Sequence, residues 1–431
     1  MSENNKEKKC SKPKKLPFRI GIVILTSLIA LPMISIIHLK CVIPNEITIS
    51  AGSNFSYELL PFTCVNQKGK PAKQSSAKDG LISTDGNTVN FNTNNVCNYS
   101  MSVNLFDTIP VKDISVSVKP QKYVIAGGSP IGIKLYTDGV FVVGMSYVTT
   151  PDGKNVYPAK DAGLKNGDII TAVNDNKISS VEEMTKLICS TNGTFTLSIN
   201  RDNEIMTKTV HAVQSSDGQG YKIGIWVRDS AAGVGTLTFY DPDTNKYAAL
   251  GHAITDVDTG KILNVKKGSI LSCNILSVTK GVRGTPGELV GGFTDNTLGD
   301  ISLNSPFGIY GNMTNTDGFT NTEKTAVATR FQIQEGDAYI LADVDGGGIK
   351  QYTIKITKIS KDNSNNKGIV FKVTDNSLLD KTGGIVQGMS GCPIIQNNML
   401  VGAVTHVFVN EPTKGYGIFA ENMIDIIYNL S

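Results

Sequence analysis

Gly383-Gly384-Ile385-Val386-Gln387-Gly388-Met389-Ser390-Gly391-Cys392-Pro393 sets one serine between glycines, just ahead of a proline. A serine hydroxyl is a weak nucleophile unless a base takes its proton and backbone N–H groups stabilise the oxyanion that follows. Glycines on either side let the backbone turn tightly and bring N–H groups close to the reacting atom. The same composition also suits a plain turn between strands. The rest of the chain has to choose between them.

Around that serine the order G-x-S-G-x-P resembles the nucleophile loop of chymotrypsin-like peptidases. It does not fit the G-x-S-x-G elbow of α/β-hydrolases, because Cys392 stands where the second glycine would be. Residues 221–431 read as the matching domain: Gly-rich, with alternating segments at 235–240, 339–344, 352–357, 369–373 and 400–409. Turn signals such as Asp258-Thr259-Gly260, Asp317-Gly318 and Asp345-Gly346-Gly347 separate them. This pattern predicts an all-β barrel or a pair of barrels, and residues 420–429 read as a closing helix.

A serine nucleophile needs a base, and the chain has four histidines. His38 lies at the edge of the N-terminal apolar run and His211 in the tail of the preceding unit, which leaves His252 and His406. His252 follows the segment Tyr247-Ala248-Ala249-Leu250-Gly251, so it sits where a strand gives way to a loop. A base there can face a cleft while the strand behind holds it still. His406 lies inside the strand after the serine, which in the chymotrypsin-like arrangement borders the substrate's side-chain pocket. His252 is therefore the expected base, with Thr405 and His406 as pocket residues. For the acid that orients the base, Asp256, Asp258, Asp317 and Asp345 fall in turns and Asp375 follows an apolar strand. Spacing does not choose among them, because triad members meet in space and their order varies between folds.

Upstream, residues 41–120 read as short strands and turns, ending in Asp113-Ile114-Ser115-Val116-Ser117-Val118 with period two. They predict a small β domain with no chemistry of its own. Residues 121–214 carry Ala162-Gly163-Leu164-Lys165-Asn166-Gly167-Asp168-Ile169-Ile170 with Val173-Asn174 beyond, and Ser180-Val181-Glu182-Glu183 as a capping box opening a helix. That run resembles PDZ domains, in which a peptide adds as a strand and its carboxylate meets an apolar-Gly-apolar loop. Ile131-Gly132-Ile133 is the expected loop. The Ser/Asp/Gly/Gln stretch 215–220 is the expected linker to the last domain.

The first 19 residues hold seven lysines and arginines against two glutamates, a balance of +5, so the remainder sums to −2 of the net +3. No later basic run exists, and nucleic-acid binding has no electrostatic footprint. The apolar run 20–37 follows directly, and with its basic flank it predicts a transmembrane anchor over 20–40, tail inside and the bulk translocated. Seven scattered cysteines make no disulfide framework, although Cys64 and Cys97 share one exported segment and are candidates to pair. No Cys/His spacing suggests zinc, and no cofactor is expected.

Taken together the chain resembles the SpoIVB-type serine peptidases of endospore formers. The likeness is close at Thr236-Leu237-Thr238-Phe239-Tyr240, at Leu250-Gly251-His252-Ala253-Ile254-Thr255-Asp256, at Asn304-Ser305-Pro306-Phe307-Gly308 and across Gly383 to Gly391. Thr405-His406-Val407-Phe408-Val409-Asn410 continues it. The resemblance places the catalytic histidine on His252, the serine on Ser390 and the aspartate on Asp375. The triad mechanism then puts the oxyanion hole at the backbone N–H groups of Gly388 and Ser390. Cys392 departs from the small serine expected there, and its oxidation would block the site. The resemblance further implies an N-terminal transmembrane helix, a small β domain, a PDZ and a chymotrypsin-like double barrel. It implies residence in the forespore inner membrane, facing the intermembrane space. It also implies self-cleavage near the N-terminus, then cutting of a membrane-bound regulatory protein that inhibits sigma-factor-precursor processing. A general PDZ-serine quality-control protease is the rival reading, and a non-catalytic PDZ scaffold the other.

Overall fold

The computed structural model describes residues 33–53, 55–68, 82–319, 322–361 and 365–430. The chain divides after Pro120 into two compact units. In the first, Ile109–Lys119 lies between Glu46–Ser50, parallel to it, and Cys97–Leu105, antiparallel. Ile114, Val116 and Val118 are buried, as the period of two requires of one face against a core. Cys64 and Cys97 are both free thiols. The register explains it: Cys64 stands opposite Asn104, so Cys97 lies seven residues further along that strand. At about 3.4 Å per residue the gap is far beyond disulfide reach. Most of the expected anchor, through residue 32, lies outside the described residues. Residues 33–42 are helical, and among the described residues no helix is long and apolar enough to cross a membrane.

Two long antiparallel strands, Pro130–Met145 and Ile225–Asp241, organise the second unit. Each begins in one module and ends in the other. Val140 and Val142 enter the core of the PDZ-like module with Leu164, Ile170, Phe195 and Leu197, and Ile225 and Val227 pack against it. Their other halves, Ile131 to Leu135 and Ala231 to Thr236, pair with each other in the module that carries Ser390. The PDZ core also includes Ile223, so the boundary read at 214/221 falls inside it. Residues 215–220 are not a linker: Val213–Gln214 pairs with Tyr221–Lys222, and the polar stretch is the turn of that hairpin. Turn residues and linker residues are the same types, and the pairing beyond them decides which they are.

Ile131-Gly132-Ile133 is likewise not a peptide-binding loop. Gly132 lies mid-strand between Val234 and Leu271, so both edges of its backbone are already paired. A Cβ there would come within 2.6 Å of the Phe293 ring. The glycine is required by packing, not by a ligand.

The rest of the second unit contains two closed rings of strands. In the first, Pro130–Met145 and Ile225–Asp241 join Lys246–Ala249, Gly308–Asn312, Glu288–Asp300 and Val265–Thr279, closed by the Gly299–Met313 bridge. Gly336–Ala342, Lys350–Ile359, Ile369–Val373, Lys414–Phe419, Met399–Val407 and Pro393–Gln396 form the second. Each ring has its own core. Tyr247, Ile270 and Ile309 are buried in one, and Tyr352, Phe371 and Phe419 in the other. Burying each such side chain contributes about 1.5–3 kcal/mol. Helix Ala420–Asn429 closes the end of the chain, burying Met423, Ile424 and Ile427.

Candidate active site

Ser390 sits on a loop held at both ends. Helix Asn376–Thr382 ends on Gly383, whose left-handed φ of 77° turns the chain toward Gly388. At Gly388 and Gly391 φ is 94° and 97°, a region that side chains rarely adopt, and a Cβ on Gly391 would lie 2.1 Å from the Thr236 carbonyl. Thr236 fixes the loop from the neighbouring ring. Its buried hydroxyl donates to the Gly388 carbonyl at 2.8 Å and its N–H donates to the Ser390 carbonyl at 2.9 Å. With those carbonyls turned inward, the N–H groups of Gly388 and Ser390 have no acceptor among the described residues. Two unengaged N–H groups two residues apart beside a serine are what an oxyanion hole consists of.

His252 and Ser390 line one cleft of about 750 Å³, together with Thr405 and His406. The Ser390 hydroxyl donates to the Thr405 carbonyl at 3.0 Å, so attack requires it to exchange that carbonyl for the imidazole. His252 Nδ1 lies 2.8 Å from the carbonyl of Ala253. A carbonyl only accepts, so Nδ1 carries the proton and Nε2 keeps its lone pair. That is the tautomer a base for proton abstraction would need. His406 lies beside it, tilted by 41° with ring centroids 5.1 Å apart, and its buried Nδ1 has no partner among the described residues. Burial lowers the pKa of His252. Burial, then the neighbouring His252 and Lys367 charges, lowers His406 to about 4.

Those shifts carry a sign. Both histidines bind protons less readily folded than unfolded, so stability is full above the unfolded value near 6.5 and falls as pH drops. For His406 the window runs from there down to about 4. Denaturant midpoints taken across that range are expected to rise with pH, and His406→Gln is expected to flatten the slope. An unchanged slope in the variant would show that His406 carries no such linkage. With neutral His252 as the base, the pH midpoint of kcat/KM is expected below 6.5.

The structure does not bring Asp375 to His252. Its carboxylate caps helix Asn376–Thr382, accepting from the Leu378 N–H at 3.0 Å and the Ser377 hydroxyl at 2.6 Å, with the Thr353 N–H at 3.4 Å. Partial burial raises its pKa, but these hydrogen bonds outweigh it and hold the carboxyl below its ordinary range. Asp-Asn-Ser-Leu-Leu is a helix N-cap signal, and that is the part Asp375 plays here. Asparagine caps a helix about as well, so Asp375→Asn is expected to change kcat/KM less than about tenfold. A drop near 10⁴-fold, the figure for a triad aspartate, would instead place it on the imidazole. Cys392 is also corrected: its thiol is buried beside Thr236 and pushed up to about 12, so it is protonated and inert.

Sequence reasoning missed a second groove. Helix Val181–Cys189 and the start of strand Ile225–Asp241 flank a hollow of about 590 Å³ lined by Val181, Met184, Ile188, Ile223, Ile225 and Val227. At its end stands Ile223-Gly224-Ile225, an apolar-Gly-apolar triplet like the one sought at Gly132. The Ile223 and Gly224 N–H groups have no acceptor among the described residues, and Gly224 has φ 73°. The triplet was visible in the sequence, but it fell beyond the supposed linker.

Residues 219–424 match the family model of the SpoIVB peptidase S55, and residues 114–211 that of the PDZ domain. No curated protein matches. Among solved structures, the Rv3671c protease in its inactive form aligns at 12% identity and TM-score 0.27, covering 46% of this chain and 84% of that one. An inactive serine-to-alanine mutant of Rv3671c from M. tuberculosis H37Rv aligns at 11% identity and TM-score 0.25, covering 46% and 81%. By these family matches the chain is a SpoIVB-type S55 serine peptidase carrying a PDZ domain.

Proposed function

We propose that the protein is an exported endopeptidase of sporulation signalling in which Ser390 is the nucleophile and His252 the base. The observation that carries this is the cleft itself. It joins a serine flanked by two unengaged N–H groups to a histidine already in the accepting tautomer. Ser390 attacks a peptide carbonyl and forms the C–O bond as His252 Nε2 takes its proton. The oxyanion rests on the Gly388 and Ser390 N–H groups. The C–N bond then breaks as the imidazolium protonates the leaving amine, and water repeats the steps to release the acyl group. The Ala253 carbonyl holds the ring, the part assigned to an aspartate in the usual triad.

Two strand rings in the order of a chymotrypsin-like double barrel support this reading of the fold. The Ile223-Gly224-Ile225 groove binds a peptide carboxylate, in place of Ile131, Gly132 and Ile133. The basic tail and apolar run of the sequence support a single-pass anchor over 20–40, with the bulk outside the cytoplasm. The family supports self-cleavage near the N-terminus, then cutting of a membrane-bound regulator of sigma-factor-precursor processing. The test is to express the full chain beside Ser390→Ala and sequence the N-termini that accumulate. Trimming in the wild type alone is expected. Identical fragments in both would overturn self-cleavage, and rapid degradation of denatured casein would favour quality control over signalling.

A further inference from the structure

Strand Ile225–Asp241 borders both the groove and the cleft. From Ile225 to Thr236 it pairs on one side with Pro130–Met145. Its second edge carries no strand over that length among the described residues, and Lys246–Ala249 joins it from Leu237 onward. Beside that edge lies the groove helix at one end. At the other, Ala231, Ala232, Gly233 and Val234 line the cleft, and the Thr236 N–H reaches the Ser390 carbonyl at 2.9 Å. The crossing point is pinned. Asp229 accepts from the Val181 N–H at 2.9 Å through its carboxylate and from the Thr137 hydroxyl at 3.3 Å through its carbonyl. Arg228 reaches Asp256 at 3.2 Å, in the loop that follows His252.

We infer that, for substrates cut in trans, the enzyme measures its cleavage site from the substrate's C-terminus, because one strand edge holds the terminal residues and the scissile segment together. This rests on the proposed reading of the groove as a carboxylate site. A tail whose carboxylate sits at Ile223 and Gly224 and whose upstream residues follow the strand runs antiparallel to it, toward Ser390. Eleven residues separate Ile225 from Thr236, which at about 3.3 Å each is about 36 Å. The pairing shifts register between Trp226 and Val227 and between Arg228 and Ser230, but the extra residues lie on Pro130–Met145, so the count along this strand stands. The bond cut therefore lies about eleven residues before the end of the substrate. Met184, Ile188 and Ile225 around the carboxylate site call for an apolar last residue. The substrate class is an unstructured polypeptide with a free, apolar C-terminus.

The test uses the full chain and an unstructured polypeptide ending in valine. Gly/Ser inserts of increasing length go just upstream of its tail, and the cuts are mapped by mass spectrometry. In parallel, a fluorescent peptide of the tail, as acid and as amide, is titrated onto the Ser390→Ala protein. The expected result is a cut that keeps its distance from the C-terminus as the insert grows, and a preference for the acid of about tenfold or more. Thr185→Glu, at an exposed groove position, is expected to abolish that register. Acid-selective binding with cuts that stay on the same sequence would overturn the inference and leave the groove reading intact. Equal binding of acid and amide, or none, would overturn both. Retained register in Thr185→Glu would overturn the inference as well.

Discussion

Ser390→Ala is expected to lower kcat/KM on any protein substrate by at least about four orders of magnitude while leaving the fold in place. The magnitude follows from what is lost. Without the hydroxyl no acyl-enzyme forms, and what remains is water attacking a carbonyl polarised by the oxyanion hole and held by binding. The fold is spared because the Ser390 side chain makes one hydrogen bond, to the Thr405 carbonyl, and lies at the cleft wall. Loop geometry is set instead by Gly388, Gly391 and Thr236, which the variant leaves alone. His252→Ala is expected to fall as far, and the double variant no further, because the two act as one unit. Additive losses would mean that His252 does not serve Ser390. The measurement is kcat/KM on a peptide cut by the wild type, with thermal midpoints alongside. A Ser390→Ala protein retaining even a hundredth of wild-type activity at an unchanged midpoint would remove Ser390 as nucleophile.

Much of this site was legible because its signals are local. Ser390 between glycines and His252 at a strand end need only neighbours in sequence to be read. The body of the PDZ was legible for the same reason: Ala162 to Asp168 is a contiguous turn with its own chemistry. What stayed hidden depends on partners far along the chain. Ile131-Gly132-Ile133 and Ile223-Gly224-Ile225 are identical triplets. Only the pairing of Gly132 with Val234 and Leu271, more than a hundred residues away, makes the first a sheet interior. Residues 215–220 have a linker's composition, and pairing of the residues on either side turns them into a hairpin. Asp375 carried two compatible signals, helix cap and triad acid. The local one wins in the structure, because the helix N–H groups lie within reach at no cost in loop closure.

Thr236→Val is expected to lower kcat by about 10–100-fold with little change in KM. Valine keeps the branching and the strand preference of threonine and puts a methyl in place of the hydroxyl. That leaves the Gly388 carbonyl buried without its donor, a loss of about 1–3 kcal/mol. The same hydrogen bond orients Gly388, whose N–H is one of the two proposed to hold the oxyanion. Removing such a donor outright costs about 10²–10³ in kcat, and loosening it costs less. Substrate binding along the Ala231 to Val234 edge does not involve the hydroxyl, so KM is expected to hold. Thr236→Ser restores the donor and is expected to recover most of kcat, which a purely packing role would not allow. Cys392→Ala, which removes the thiol 3.5 Å from the same hydroxyl, controls for local packing and is expected to leave kcat within about threefold. Equal kcat values for the valine and serine variants would show that the loop around Ser390 holds its shape without Thr236, and that its own glycines suffice.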